Sequence, residues 1–318
     1  MQNYKKCGVI GCGNVGATTA YTLMLSGMFN ELVLVDIDKI KATGEAEDIA
    51  HGLPFNAPSD IYAGNYNDLS DAGIVIITAG VSQRQGETRL DLLQRNTKVF
   101  AGIIERLKKT SFDGILLVVT NPVDILTYIT IAMSGYDSKK VLGSGTVLDT
   151  ARLKQLMGNE LKVDPRNVHT FIIGEHGDSE LPVWSSANVS GIDISSFCHK
   201  CCDNCNKDTF DQIFEDVRNS AYRIINAKGS TYYAIAEAVR RIVEAIVRDE
   251  RAILPVSALL EGQYGINNIC LGVPCVIGKN GIEEILEIPL DDGEKKSLAR
   301  SAATLQSTLG NLGITTTV

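Results

Sequence analysis

The stretch Gly11-Cys12-Gly13-Asn14-Val15-Gly16 decides how the chain folds, because of what lies on either side of it. The apolar run Cys7–Ile10 precedes it, a segment with helical spacing, Val15–Met28, follows it, and Asp36 closes the next apolar run 20 residues after Gly16. A G-x-G-x-x-G turn between a strand and a helix is the arrangement that receives a dinucleotide. Gly11 allows the tight turn, Gly13 lets backbone approach a pyrophosphate, and Gly16 lets the helix pack closely on the strand. The start of the helix offers unpaired N–H groups and a partial positive charge to the phosphates. A carboxylate at Asp36 accepts hydrogen bonds from both adenine-ribose hydroxyls and repels a 2′-phosphate, so this reading prefers NAD to NADP.

Working outward, further short apolar runs appear at Leu32–Val35, Gly73–Thr78, Ile115–Thr120 and Val141–Leu142. Near-continuous apolarity rather than alternation marks strands buried on both faces. Helically spaced segments lie between them, at Leu90–Lys109 and Asp124–Met133. The alternation predicts βαβ units and a parallel sheet with helices on both faces. After about residue 143 the pattern becomes α+β. Helices are predicted at Asp149–Leu161, through Phe210, Ile213, Phe214, Val217, Ala221, Ile224 and Ile225, at Thr231–Arg248 and at Asp292–Leu309. Strands are predicted at His169–Ile173 and Val183–Val189, and as a pair at Ala252–Leu260 and Asn268–Ile277. The expected division is therefore 1–143 for a dinucleotide-binding domain and 144–318 for a substrate domain.

The 318 residues carry 38 acidic against 30 basic side chains, a formal charge of −8. Such a balance repels phosphate backbones and anionic lipid, so neither nucleic acid nor membrane is an expected partner. No apolar run reaches the roughly 18–20 residues of a membrane span, and the amino terminus leads straight into a strand-like segment, so a cytoplasmic location is expected. Of the eight cysteines, Cys7, Cys12, Cys270 and Cys275 sit in apolar strand-like runs and read as small hydrophobes. Cys198, Cys201, Cys202 and Cys205 crowd into one segment with His199. A lone cluster without a second, distant ligand pair reads as an unliganded surface connection, and no metal site is expected.

Gly174-Glu175-His176-Gly177-Asp178 sets a histidine between glycines just after a predicted strand, and only four histidines exist in the chain. Asp149 and Arg152, three residues apart at a helix start, share a face. An aspartate orients an imidazole and stabilises its protonated form, while an arginine clamps a carboxylate with two parallel hydrogen bonds.

Gly11–Gly16, Gly86-Glu87-Thr88-Arg89-Leu90-Asp91-Leu92, Thr120-Asn121-Pro122-Val123-Asp124, Gly143-Ser144-Gly145-Thr146 with Leu148-Asp149, and Gly174–Asp178 together resemble the L-lactate dehydrogenase family, bacterial type. Its superfamily includes the malate dehydrogenases. The resemblance runs in order over essentially the whole chain. It implies an α/β fold: a Rossmann dinucleotide-binding domain with a parallel sheet, followed by an α+β substrate domain. The implied activity is NAD-dependent, reversible conversion of pyruvate to L-lactate in glycolytic fermentation. Malate or another 2-hydroxy acid is the alternative substrate. A non-catalytic NAD sensor fits poorly, because the catalytic set is complete.

By the same resemblance His176 is the proton donor and acceptor, Asp149 its partner, Arg152 the substrate-carboxylate binder, and Arg89 the carbonyl-polarising residue of a closing loop. Asn121 assists at the carbonyl and Thr231 borders the pocket. Val15, Lys41, Tyr66, Asn121 and Ser144 join Gly11, Gly13, Gly16 and Asp36 as cofactor contacts. Gln83 faces the substrate side chain where malate dehydrogenases place an arginine, which favours pyruvate, since oxaloacetate's second carboxylate is left unpaired. A homotetramer is implied. Many bacterial members bind fructose 1,6-bisphosphate between subunits, as an allosteric activator, through an arginine and a histidine; His169 falls at the histidine position, while Lys154 stands where the arginine is expected.

Overall fold

A computed structural model describes residues 3–81, 86, 88–201 and 207–313. Its strands and helices, in chain order, are β1 (Asn3–Ile10), α1 (Asn14–Ser26), β2 (Glu31–Val35), α2 (Lys39–Ala50), β3 (Asp60–Ala63), β4 (Ala72–Ile77), α3 (Arg89–Lys108), β5 (Ile115–Val118), α4 (Val123–Ser134), β6 (Val141–Gly143) and α5 (Val147–Leu161). There follow β7 (Val168–His169), β8 (Ile172–Ile173), β9 (Leu181–Pro182), β10 (Asn188–Val189), β11 (Ile192–Asp193), α6 (Ile194–Cys201), α7 (Lys207–Lys228), α8 (Tyr233–Val247), β12 (Ala252–Glu261), β13 (Asn267–Gly278), β14 (Gly281–Ile285) and α9 (Asp292–Asn311).

Among the described residues, nine strands form one sheet in the order β14-β13-β12-β6-β5-β4-β1-β2-β3. The six strands from β3 to β6 are parallel, as their unbroken apolarity demands, and Val9 of β1 pairs with both Leu34 and Ile76. Strand order reverses at β1, with β2 on one side and β4 on the other. A crevice therefore opens at the carboxyl ends of β1 and β4, where doubly wound sheets bind ligands. The three carboxy-terminal strands attach antiparallel through a single pair, Ser257 with Gly143. The predicted strand pair thus extends the first sheet across residue 143 instead of forming a sheet of its own.

A second apolar cluster holds the remainder of the later half, with Leu153, Met157 and Leu161 of α5 packed against Val168, Ile172, Ile213 and Val217. The run Val183–Val189 is not one strand: β9 ends before it, β10 occupies only its last two residues, and a turn closed by Ala187 N–H on the Trp184 carbonyl fills the middle. His169–Ile173 likewise splits into β7 and β8. Cys7, Cys12, Cys270 and Cys275 are buried free thiols, and burial pushes Cys12 up to about 12. Cys198 is buried on α6, whereas His199, Cys201, Cys202 and Cys205 have side chains outside the described residues.

Candidate active site

The glycine turn builds one half of the site. Gly11 has φ +102°, and a Cβ there would come within 2.6 Å of the Ala79 Cα. Gly16 sits where a Cβ would press into the Gly11 carbonyl and lie 2.7 Å from the Thr78 hydroxyl oxygen. The space beside Gly13, by contrast, is open, with nothing within 4 Å of a Cβ. Gly13 caps α1 with no side-chain hydrogen bond, so the first N–H groups of the helix stay available to an anion.

Gly11, Gly13, Asp36, Lys41 and Tyr66 line a cavity of about 520 Å³ at this point. Asp36 is fixed there by two backbone donors, Cys12 N–H at 2.6 Å and Asp38 N–H at 2.9 Å. The Tyr66 ring lies 5.5 Å under the Arg106 guanidinium, and burial raises its phenol pKa. An open glycine, a free helix start and an oriented carboxylate fit the pyrophosphate and ribose of NAD. Gly16 is not one of its lining residues but packs against Gly11 and Thr78, which are. Val15, Asn121 and Ser144 are not among its described walls: Val15 packs partly buried against the core, Ser144 is buried after β6, and Asn121 is exposed after β5.

The second half assembles around Asp149 on the first turn of α5. Its Oδ2 lies 2.5 Å from His176 Nδ1, and its Oδ1 accepts from Arg152 Nη1 at 2.9 Å. The Asp149 side chain is 3 % exposed, Arg152 14 % and His176 24 %, so the imidazole is the member that reaches out of the cluster. Burial opposes the charge on Asp149, but His176 and Arg152 outweigh it and hold its pKa below the ordinary carboxylate range. Burial likewise opposes protonation of His176. The Asp149 carboxylate more than compensates, with smaller help from Glu180 and Asp124, and the imidazole rises to about 9. It is therefore cationic at neutral pH, with Nε2 as the nitrogen left for a substrate.

Two buried acids in this neighbourhood were given no role by the sequence: Asp124 closes the quoted Thr120–Asp124 stretch, and Glu180 lies just beyond Gly174–Asp178. Glu180 is pushed up to about 9 by burial and by Asp149, against the opposing cations His176, Arg152 and Arg218. Asp124, on the first turn of α4, accepts the His176 backbone N–H at 2.7 Å and the Ser257 hydroxyl at 2.6 Å. Among the described residues, Asp149, His176 and Glu180 are the group whose ligand-type atoms fall within 4.8 Å of one another. The Arg152 guanidinium on Asp149 already supplies the positive charge a cation would bring.

The other expected residues are placed less tightly. Thr231 is half-buried between α7 and α8, beside Ser230, whose hydroxyl oxygen accepts from Asn14 Nδ2 at 3.0 Å. That bond ties the α7–α8 connection to the glycine turn. Arg89 opens α3, behind a capping box between Thr88 and Asp91, but its side chain and all of Gln83 lie outside the described residues. Lys154 is half-buried on α5, where desolvation lowers its pKa, and His169 is exposed on β7.

Comparison with known proteins points the same way. Residues 5–143 match the NAD-binding domain of lactate/malate dehydrogenase, and residues 146–312 its alpha/beta C-terminal domain. The L-lactate dehydrogenase of Acetivibrio thermocellus is 56% identical over 310 residues, 98% of either chain. That of Thermoanaerobacter pseudethanolicus is 54% identical, covering 97% of this chain and 99% of its own. Among solved structures, a lactate dehydrogenase from a deep-sea metagenome superposes with a TM-score of 0.95 at 43% identity, covering 98% of this chain and 100% of its own. The minor L-lactate dehydrogenase of Enterococcus mundtii, with ligands bound, gives 0.94 at 40% identity, covering 97% and 98%.

Proposed function

The chain belongs to the lactate/malate dehydrogenase family, and we propose that it is an NAD-dependent L-lactate dehydrogenase, its reaction the reversible reduction of pyruvate to L-lactate. The observation that carries this reading is the chain of contacts from Arg152 through Asp149 to His176. When bound, NADH supplies a hydride to the carbonyl carbon and NAD accepts one from the alcohol. His176 handles the accompanying proton. Cationic at neutral pH, it donates from Nε2 to the carbonyl oxygen as negative charge builds there, and in the reverse direction the neutral ring takes the hydroxyl proton. Asp149 fixes the ring and stabilises its cationic form. Only one nitrogen of Arg152 is engaged by Asp149, so the rest of its guanidinium remains to grip the substrate carboxylate. Arg89 polarises the carbonyl from the closing loop, Asn121 and Thr231 border the substrate, and Asp36 selects NAD.

Gln83 sets the substrate side chain to be small and uncharged. Steady-state rates with NADH on pyruvate and on oxaloacetate test this. Pyruvate should be strongly preferred by the parent, and Gln83→Arg should move the preference toward oxaloacetate; equal efficiency of the parent on both overturns it. We further propose a cytoplasmic homotetramer serving fermentation, with Lys154 and His169 forming a sugar-bisphosphate site. Supporting the first point, no described helix is long and apolar enough to cross a membrane. Supporting the last, lysine keeps a charge there but lacks the planar fork of arginine, so activation should be weak.

A further inference from the structure

We infer that Asp124 is a positioning residue for His176, holding its main chain where Asp149 holds its ring; the inference rests on His176 being the proton-transferring group. Asp124 is 1 % exposed and stands on α4, an almost wholly buried helix at the centre of the molecule. Its carboxylate accepts two donors from distant parts of the chain: the His176 N–H at 2.7 Å and, from β12, the Ser257 hydroxyl at 2.6 Å. The histidine lies on a glycine-flanked loop, Gly174–Gly177, with few side chains of its own to define it. A second tie, from Glu175 N–H to Ser301 Oγ of α9 at 2.7 Å, anchors the residue before it. Gly174 is paired at its start with Gly272 of β13, and the two residues after it, Glu175 and His176, are tied by their N–H groups to Ser301 and Asp124, while the ring is held by Asp149.

A buried carboxylate is costly unless donors meet it, and its retention next to a catalytic loop calls for an account. Other titratable groups face this pair. Glu175 and His176 face Asp124 from the loop, and Cys270 faces it from β13. Asp149, Glu180 and Asp124 face the imidazole, with Arg152 beyond Asp149. Burial lifts Asp124 to about 6 against the pull of Ser257 and of His176. Its ionised form, which accepts both bonds and favours the imidazolium, therefore prevails above that pH and is lost below it.

The variants Asp124→Ala, Asp124→Asn and Ser257→Ala separate position from charge. Asparagine can still accept the His176 N–H while its amide donates to Ser257, so it keeps the position without the charge. Asp124→Ala should lower kcat for pyruvate at least about tenfold, since a misplacement of about 1 Å can cost about a hundredfold, with NADH affinity unchanged. Asp124→Asn should recover most of that loss. In both, the His176 imidazole pKa read by NMR should fall. Ser257→Ala, which leaves the core intact if the Asp124 variants do not fold, should move the acid limb of the kcat/KM profile to higher pH. The NMR titration does not depend on turnover, so it tests Asp124 even if pyruvate is not the substrate. Folded Asp124→Ala protein with parental kcat and His176 pKa overturns the inference, as does Ser257→Ala with a parental acid limb.

Discussion

Replacing Asp149 by asparagine should change the two directions of the reaction in different ways. His176 stands at about 9 because the carboxylate outweighs the effect of burial. Without the carboxylate, burial remains, and the imidazole should fall to its ordinary value of 6.5 or below. That difference is about 3 kcal/mol in favour of the imidazolium, or roughly a hundredfold in a rate that depends on forming it. Lactate oxidation forms the imidazolium as the alcohol loses its proton, so its kcat should drop about a hundredfold. Pyruvate reduction starts from the imidazolium. It is full below the His176 pKa and lost as pH rises through it, so its basic limb should move from near 9 in the parent to below 6.5. Initial rates of NADH consumption and formation over pH 5.5–9.5, with circular dichroism as the folding control, read both effects. A folded variant that keeps a basic limb near 9 and oxidises lactate within about threefold of the parent refutes the reasoning.

Asp36→Ala removes a carboxylate that two backbone donors aim at the cavity. Hydrogen bonds to a charged group are worth about 1.5–3 kcal/mol, so the KM for NADH should rise about tenfold or more while that for NADPH falls. Gly16→Ala forces a methyl against the Gly11 carbonyl, which as backbone cannot yield; a loss of about 1–3 kcal/mol in thermal unfolding and weakened NADH binding by fluorescence titration are expected. Fructose 1,6-bisphosphate should sharpen pyruvate saturation weakly at low ionic strength, and Lys154→Arg should strengthen the response. Unchanged curves at millimolar effector would leave Lys154 and His169 as structural residues.

The parallel half of the sheet was legible because its signals are local: β1, the glycine turn, α1 and Asp36 fall within one short stretch. The misses share a cause. Helix α2 buries only Ala42, Ala46 and Ile49, so its apolar stripe is made mostly of small residues. Strand β3 is four residues long with one fully buried position, too short for a pattern. That β12 and β13 extend the first sheet depends on one pair, Ser257 with Gly143, more than 100 residues apart. No periodicity in either segment encodes that choice. The site divides the same way. His176, Asp149 and Arg152 were singled out from glycine flanks and helix spacing, but their meeting is a tertiary fact. Asp124 was visible only as the last residue of a motif and Glu180 not at all, since a carboxylate inside a helix or turn looks like a solvated one until burial is known.

The most direct measurement follows the hydride itself. Purified protein is mixed with pyruvate and with NADH carrying deuterium at its transferable position, and the product is analysed by mass spectrometry and a chiral separation. The account predicts L-lactate labelled at carbon 2, formed by the parent and lost with His176→Gln while NADH still binds. Absence of lactate, the D enantiomer, or lactate without the label would contradict it.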